Sequence, residues 1–363
     1  MEISKLKEFG QNLKKNRMKA LFFRQHGSIG NLEYGDFKEP KLAENSAIIK
    51  VKAAALNRLD LWVLQGWPGL KLTLPHIGGA DISGEIVEVD KNQSIFKPGE
   101  RVAVAPGFIP ANHQDQYTTA SEDSVSPEYK IFGEAIDGGF CEYISVPLHT
   151  LIKIPEKISH SLSAAVLLVG TTCWRMLVNK AKVKKDESVL IVGAGGGVNS
   201  FSVILAKHLG AKVFVLGSSD EKCERSIKLG ADVAINFNTN LSWHKEIKRL
   251  TAGEGVDVVI DNVGAKTFSH SLATLKRGGR LVTVGNTSGY NVSFDNRLVF
   301  AKQLSILGST MGSFKDTVAA CNFSWTHPLI NQLVDKEMPL SDGKRAYEIL
   351  ETGSHFGKVL LIP

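Results

Sequence analysis

The chain has 363 residues, more than one hydrophobic core usually serves, so two domains are expected. With 43% hydrophobic and 22% charged residues, 34 Gly and only 12 Pro, the composition is that of an ordinary globular protein and excludes a low-complexity chain. The net charge of +6, from 43 Lys+Arg against 37 Asp+Glu, does not call for nucleic acid. Half of that excess sits in the opening MEISKLKEFGQNLKKNR, with five Lys/Arg and two Glu, and the rest of the chain carries no Lys/Arg stripe.

Residues 1–17 therefore read as a basic tail. A mitochondrial presequence would be richer in Arg and Ser and poorer in acids, and here Glu2 and Glu8 intervene. No run of eighteen or so apolar residues is seen, so no membrane span is expected. The four cysteines, Cys141, Cys173, Cys223 and Cys321, form no C-x-x-C pair. That argues against a disulfide framework and a cysteine-built zinc site, and a reducing cytoplasm is the expected location.

From Met18 to about Val146, KALFF, SAIIKVKAAAL, GEIVEV and ERVAVA are short apolar or alternating runs broken by Gly, Pro or Asn, as strands are. Between them RLDLWVLQG has helical spacing and a stop at Gly66, with Pro68 just beyond. The segment from Gly107 to Glu134 is long, polar and aperiodic, which points to a functional loop or a small lobe of its own. His113, Asp115, Glu122 and Asp123 within it lack metal-ligand spacing and read as a solvated loop.

After about Leu151 the pattern changes. SVLIVG, KVFVLG, ADVAINF, VDVVIDNVG, GRLVTVGN and QLSILGS are apolar runs separated by helical stretches. Such an alternation predicts an α/β fold with a six-stranded, doubly wound parallel sheet. The tail AYEILETGSHFGKVLLIP returns to a helix and a strand that rejoin the first domain. The expected division is 18–150 with 312–363 for the β-rich domain, and 151–311 for the dinucleotide-binding domain.

The chemistry-bearing turn is VLIVGAGGGVNS. Glycines there let the backbone approach a pyrophosphate, and the following helix aims its N–H groups and positive end at it. Gly195, Gly196, Gly197 and Val198 are the expected contacts, although the strict G-x-G-x-x-G spacing is missed because Asn199 or Val198 falls at the last position. At the end of the next strand, where NAD proteins place an acid, this chain has Gly217, Ser218 and Ser219, with Lys222 following. Two hydroxyls and an ammonium suit a 2′-phosphate, so NADP(H) is the expected cofactor. Asp220 is the counter-signal, read as a first-turn helix acid. DNVG (Asn262) and VGN (Gly285) lie at strand ends and complete the expected binding edge.

Taken together, AAALNRLDLWVLQG, PHIGGADISGEIVEV, FKPGERVAV, GGFCEYISVP, AAVLLVGTTCWRML, VLIVGAGGGV, GADVAINF and HFGKVLLIP resemble the medium-chain dehydrogenase/reductase superfamily from Met18 to Pro363. The similarity is strongest to its zinc-free quinone oxidoreductase and alcohol dehydrogenase-like branches. The resemblance implies a GroES-like substrate domain, a Rossmann domain, and an active site in the cleft between them. It also implies a homodimer or homotetramer, pairing through the Rossmann sheet edge. Where zinc relatives carry Gly-His-Glu, this chain has Gly79-Ala80-Asp81; Asn57 replaces the first cysteine ligand, and the later one falls at about Leu168. Zinc wants three protein donors, and Ala and Leu supply none, so no metal is expected. Asp81 reads as a structural carboxylate with Lys358 as a candidate partner, since relatives carry a cation near the cofactor there. His76 reads as a wall or surface residue.

Without a Lewis acid, a quinone or α,β-unsaturated carbonyl is the easier hydride acceptor, because conjugation stabilises the anion that forms. Asn57 is the expected hydrogen-bond donor, with Asp60 orienting it or relaying a proton; the alternative for Asp60 is a helix-end hydrogen-bond acceptor. Trp62 stands where quinone oxidoreductases show a tyrosine, and provides a stacking wall but no acidic proton; the alternative is core packing. Thr172 is expected to touch the nicotinamide; the alternative is a buried hydroxyl at a helix start. Cys173 reads as packing. The expected activity is zinc-independent, NADPH-dependent reduction of a small quinone or activated alkene. The alternatives are alcohol/carbonyl oxidoreduction, or a catalytically idle NADPH-binding protein.

Overall fold

The computed structural model describes residues 17–92 and 95–363. The expected basic tail, apart from Arg17, lies outside the described residues. Contacts divide the described residues into one unit of 17–168, Lys336–Ser354 and Lys358–Pro363, and another of Val169–Asp335 and His355–Gly357. The borders thus fall at 168/169 and 335/336, where the sequence reading put 150/151 and 311/312. One contact that ties residue 168 to the first unit is the Leu168 N–H, which donates to Asp81 Oδ1 at 2.7 Å.

In the first unit the strands are β1 (Arg17–Phe23), β2 (Leu32–Lys38), β3 (Ser46–Ala55), β4 (His76–Ile77), β5 (Asp81–Val89), β6 (Arg101–Val104), β7 (Gly107–Phe108), β8 (Lys130–Ile131), β9 (Tyr143–Pro147) and β10 (Leu151–Lys153). β1 pairs with β2 and β4 in a three-stranded sheet. β3 is central in a seven-stranded sheet, paired antiparallel with β5, with β9 and with Lys358–Ile362 near the carboxyl end. Neighbours on both sides explain its nearly unbroken apolar run; Ile49, Val51, Ala53 and Ala54 are all buried. Leu21, Phe23, Ile82, Val102, Phe132, Phe140 and Leu361 join Ile49, Val51 and Ala54 in one core.

Helix α1 (Arg58–Gln65) follows β3 and ends at Gly66, the stop the sequence predicted, with a positive φ of 76° that favours glycine. In the polar loop, α2 (Gln116–Thr119) is capped by Asp115, whose carboxylate accepts from Tyr117 N, Thr118 N and Ser126 Oγ. These donors hold Asp115 well below the usual carboxylate range. Among the described residues, no group of three or more His, Cys, Asp or Glu is placed to hold a metal ion.

Helix α3 (His160–Trp174) continues as a π-helical stretch to Lys180. These 21 residues are, contrary to the sequence expectation, long and apolar enough to cross a membrane; 83% of the apolar window is nonetheless buried in protein, as in a core helix.

The second unit is built on β11 (Ser188–Val192), β12 (Lys212–Gly217), β13 (Val233–Asn236), β14 (Val256–Asp261), β15 (Leu275–Thr283) and β16 (Ser305–Gly308). All adjacent pairs are parallel, in the order β13-β12-β11-β14-β15-β16, the doubly wound arrangement. Between them run α4 (Gly197–His208), α5 (Asp220–Lys228), α6 (Trp243–Leu250), α7 (Phe268–Thr274) and α8 (Asn296–Lys302), with α9 (Phe314–Ser324) after the sheet. Helix α10 (Gly343–Thr352) returns to the first unit.

Candidate active site

In the first unit, four polar side chains meet inside an apolar core, where each large hydrophobic neighbour contributes roughly 2 kcal/mol by burial. Asn57, Asp60, Asp81 and Lys358 are 7%, 2%, 0% and 2% exposed. A charge there is tolerable only if paired and hydrogen-bonded. Lys358 Nζ donates to Asp81 Oδ2 at 2.9 Å and to Asn57 Oδ1 at 2.5 Å. Asn57 Nδ2 donates to the same Asp81 oxygen at 2.9 Å. Its other weak contact, to Ala55 O, is 3.4 Å long. Strand pairing places the set: Ala55 lies opposite Asp81 across β3 and β5, and Leu360 lies opposite Ala55.

Asn57 is also the N-cap of α1. Its own backbone N–H donates to Asp60 Oδ2 at 2.6 Å, and Gly79 N donates to Asp60 Oδ1 at 3.0 Å. Burial raises Asp60 to about 7, although both N–H donors and Lys358 pull it down. Tyr347 is fully buried nearby, pushed well above the usual phenol range by burial and then by Asp60. Gly79 has φ 98°, and a Cβ there would stand 2.7 Å from the Phe140 ring, so the Gly79-Ala80-Asp81 turn admits only glycine at its first place.

In the second unit, the glycine turn joins β11 to α4. Gly193 and Gly195 have φ of 105° and 95°. A Cβ on Gly195 would come within 3.2 Å of His355 O and of the Lys222 stem, which lies over the turn. Gly357 N donates to Gly195 O at 2.7 Å. Gly196 caps α4 without a side-chain hydrogen bond, so the first N–H groups of the helix are offered to a ligand. A dinucleotide pyrophosphate fits this turn, with Gly195, Gly196, Gly197 and Val198 as the backbone that would hold it.

Asn199, which breaks the glycine fingerprint, bridges two strand ends: its Nδ2 donates to Val192 O at 3.0 Å, and Asn262 Nδ2 donates to its Oδ1 at 2.8 Å. Gly285 packs on Asn262, a Cβ there falling 3.1 Å from Asn262 O. Ser219 caps α5, its Oγ accepting from Lys222 N at 3.3 Å. Asp220 opens that helix, and its carboxylate accepts from Asn236 Nδ2 at 2.8 Å, as a first-turn acid.

Of the residues expected to act, the fold gathers Asn57, Asp60 and Lys358 into one network, and the glycine turn, Asn262 and Gly285 into another. Trp62 is half-buried on α1. Thr172 is buried two residues from the carboxyl end of α3, not at a helix start. Cys173 is packing, its Sγ 3.2 Å from Val198 O and from Ser202 Oγ, with burial raising its thiol to about 12. His76 is a core residue, 2% exposed, whose Nε2 lies 3.1 Å from Gly133 O. Tyr347 was missed, since nothing in its local sequence points to Asp60, far away along the chain. Asn199 was noticed only as a defect in a motif.

Comparison with known proteins adds to this geometry. Residues 43–156 match the alcohol dehydrogenase GroES-like domain family, and residues 197–325 the family described as zinc-binding dehydrogenase. The chain is 31% identical to an acryloyl-coenzyme A reductase of Metallosphaera sedula, over 95% of this chain and 99% of that one. It is 28% identical to the quinone oxidoreductase of Homo sapiens, over 90% of this chain and 92% of that one. The crystal structure of an NAD-dependent alcohol dehydrogenase superposes with a TM-score of 0.89 at 35% identity, covering 95% of this chain and all (100%) of that one.

Proposed function

Because the chain belongs to the medium-chain dehydrogenase/reductase superfamily, whose members matched here are oxidoreductases, we propose that it is a zinc-independent, NADPH-dependent reductase of quinones or α,β-unsaturated carbonyls. The observation that carries the proposal is the buried Lys358 ammonium seated on Asn57 and Asp81. Asn57 holds the position of a first metal ligand, and its only lone-pair oxygen is already turned to a cation. A second cation beside it would be repelled, and the other two ligand positions, Ala80 and Leu168, offer no side-chain donor.

Bound NADPH supplies the hydride. The glycine turn and α4 would hold the pyrophosphate, Asn262 and Gly285 would line the strand ends, and Thr172 would contact the nicotinamide. Ser218, Ser219 and Lys222 would hold the 2′-phosphate, while the Asp220 carboxylate accepts from Asn236 Nδ2. The Asn57 N–H that makes only a 3.4 Å contact with Ala55 O is the one free to exchange for an anionic substrate oxygen. Asp60, poised near neutrality, orients Asn57 and holds the proton that balances charge. Trp62 walls the substrate. The four free thiols suit the cytoplasm. Pairing through the exposed edge strand β16 would make a homodimer or homotetramer.

The test is consumption of NADPH and NADH by the purified protein with a panel of quinones, enones and simple ketones, and reduction of NADP+ and NAD+ with simple alcohols. Turnover that prefers NADPH supports the proposal. Turnover with simple alcohols or ketones alone points to the alcohol dehydrogenase reading, and tight NADPH binding without turnover to an idle binder.

A further inference from the structure

Helices α6, α7 and α8 lead into β14, β15 and β16, so their carboxyl ends gather where the parallel strands begin. The glycine turn lies at the opposite, carboxyl end of the sheet. At this second edge Lys302 closes α8 and donates to Ala273 O at 3.1 Å and Leu275 O at 2.7 Å. Arg277 donates to Ala301 O at 2.7 Å, one residue from Lys302. Lys248, in the last turn of α6, is close enough to the Lys302 ammonium to lower its pKa.

We propose that Lys248, Arg277 and Lys302 form a binding site for a phosphate-bearing anion, separate from the dinucleotide turn. Lysines commonly cap helix carboxyl ends, and Lys302 alone does that for α7. Arg277 caps α8 through Ala301 O in the same way, but capping does not account for Lys248, a second ammonium brought beside that of Lys302, where like charges repel. Neighbouring cations take carboxylates: Arg249 pairs with Glu246, Lys276 with Asp257, and Arg280 with Glu187. Among the described residues, none of the three clustered cations has such a partner. Burial, with Lys248 and Arg277 adding, lowers Lys302 to about 8. Three donors of different shape call for a ligand with several oxygens and at least two charges. A phosphate group provides this, whereas a single carboxylate would not.

Calorimetric titration with inorganic tripolyphosphate, at constant ionic strength and with NADPH and NADH both saturating, tests the proposal independently of the cofactor reading. Binding with Kd below about 1 mM is expected. Lys248→Met/Lys302→Met should weaken it by about tenfold or more, and Arg277→Gln several-fold, while Lys222→Met at the glycine turn leaves it unchanged. Arg277 is exposed, so its variant remains informative if the double variant folds poorly. Absence of binding by the wild type, or affinity unchanged in Arg277→Gln, would overturn the proposal.

Discussion

Lys358 and Asp81 form an ion pair of 2.9 Å with 2% and 0% of their side chains exposed, which commits the chain to keeping both charges. Removing one partner strands the other in a dry core. Lys358→Met is therefore expected to destabilise the protein by about 3–5 kcal/mol, read from its urea unfolding midpoint. Lys358→Met combined with Asp81→Asn should lose less than Lys358→Met alone, because the orphaned charge is gone. Equal losses in the two variants would mean that the pair is not what holds this part of the core.

Asp60 makes stability depend on pH in an unusual sense for a carboxylate. Its folded pKa is raised to about 7, so the native state holds a proton that the unfolded chain releases near 4. Its stabilising contribution is complete below the unfolded value and is lost as pH rises through about 7. The stability of the wild type relative to Asp60→Asn should fall between pH 4 and 7, by up to about 1.4 kcal/mol per pH unit, and level off above. A difference that stays flat over this range would place the Asp60 pKa in the ordinary range.

Asn199→Gly, at one of the places where the glycine motif fails, should weaken rather than improve the second unit. It removes the hydrogen bonds to Val192 O and Asn262 and adds a glycine to a helix, at a cost of about 2 kcal/mol. Thermal unfolding and dinucleotide affinity both report on it; an unchanged melting temperature would show that the bridge is dispensable.

Selection of the 2′-phosphate by Lys222 should appear as a split between cofactors. Lys222→Met is expected to raise the KM for NADPH about tenfold or more with the KM for NADH unchanged. A parallel rise in both would assign Lys222 to the pyrophosphate turn over which its stem lies.

Much of this was legible in the sequence because it is local or periodic. The serial alternation of apolar runs and helices after Leu151 is a nearest-neighbour pattern, and it became the six-stranded parallel sheet. RLDLWVLQG became α1, with its stop at Gly66. The pairing of Asp81 with Lys358 was reached only through resemblance, since 277 positions separate them. What remained hidden depends on tertiary placement. Both ends of the Asn57 amide face protein groups, which no residue type reveals. The unit border inside α3 falls within one continuous apolar run, where composition does not change. Lys248, Arg277 and Lys302 form no stripe along the chain; three helix ends bring them together.

The central claim is that hydride transfer here proceeds without zinc. The most direct measurement is NADPH-dependent quinone or enone turnover before and after exhaustive treatment with a strong chelator, and again after adding zinc. The rate should be unchanged throughout. Turnover that is lost with the chelator and restored by zinc would contradict the account, because Asn57, Ala80 and Leu168 would then surround a metal that their side chains give no reason to expect.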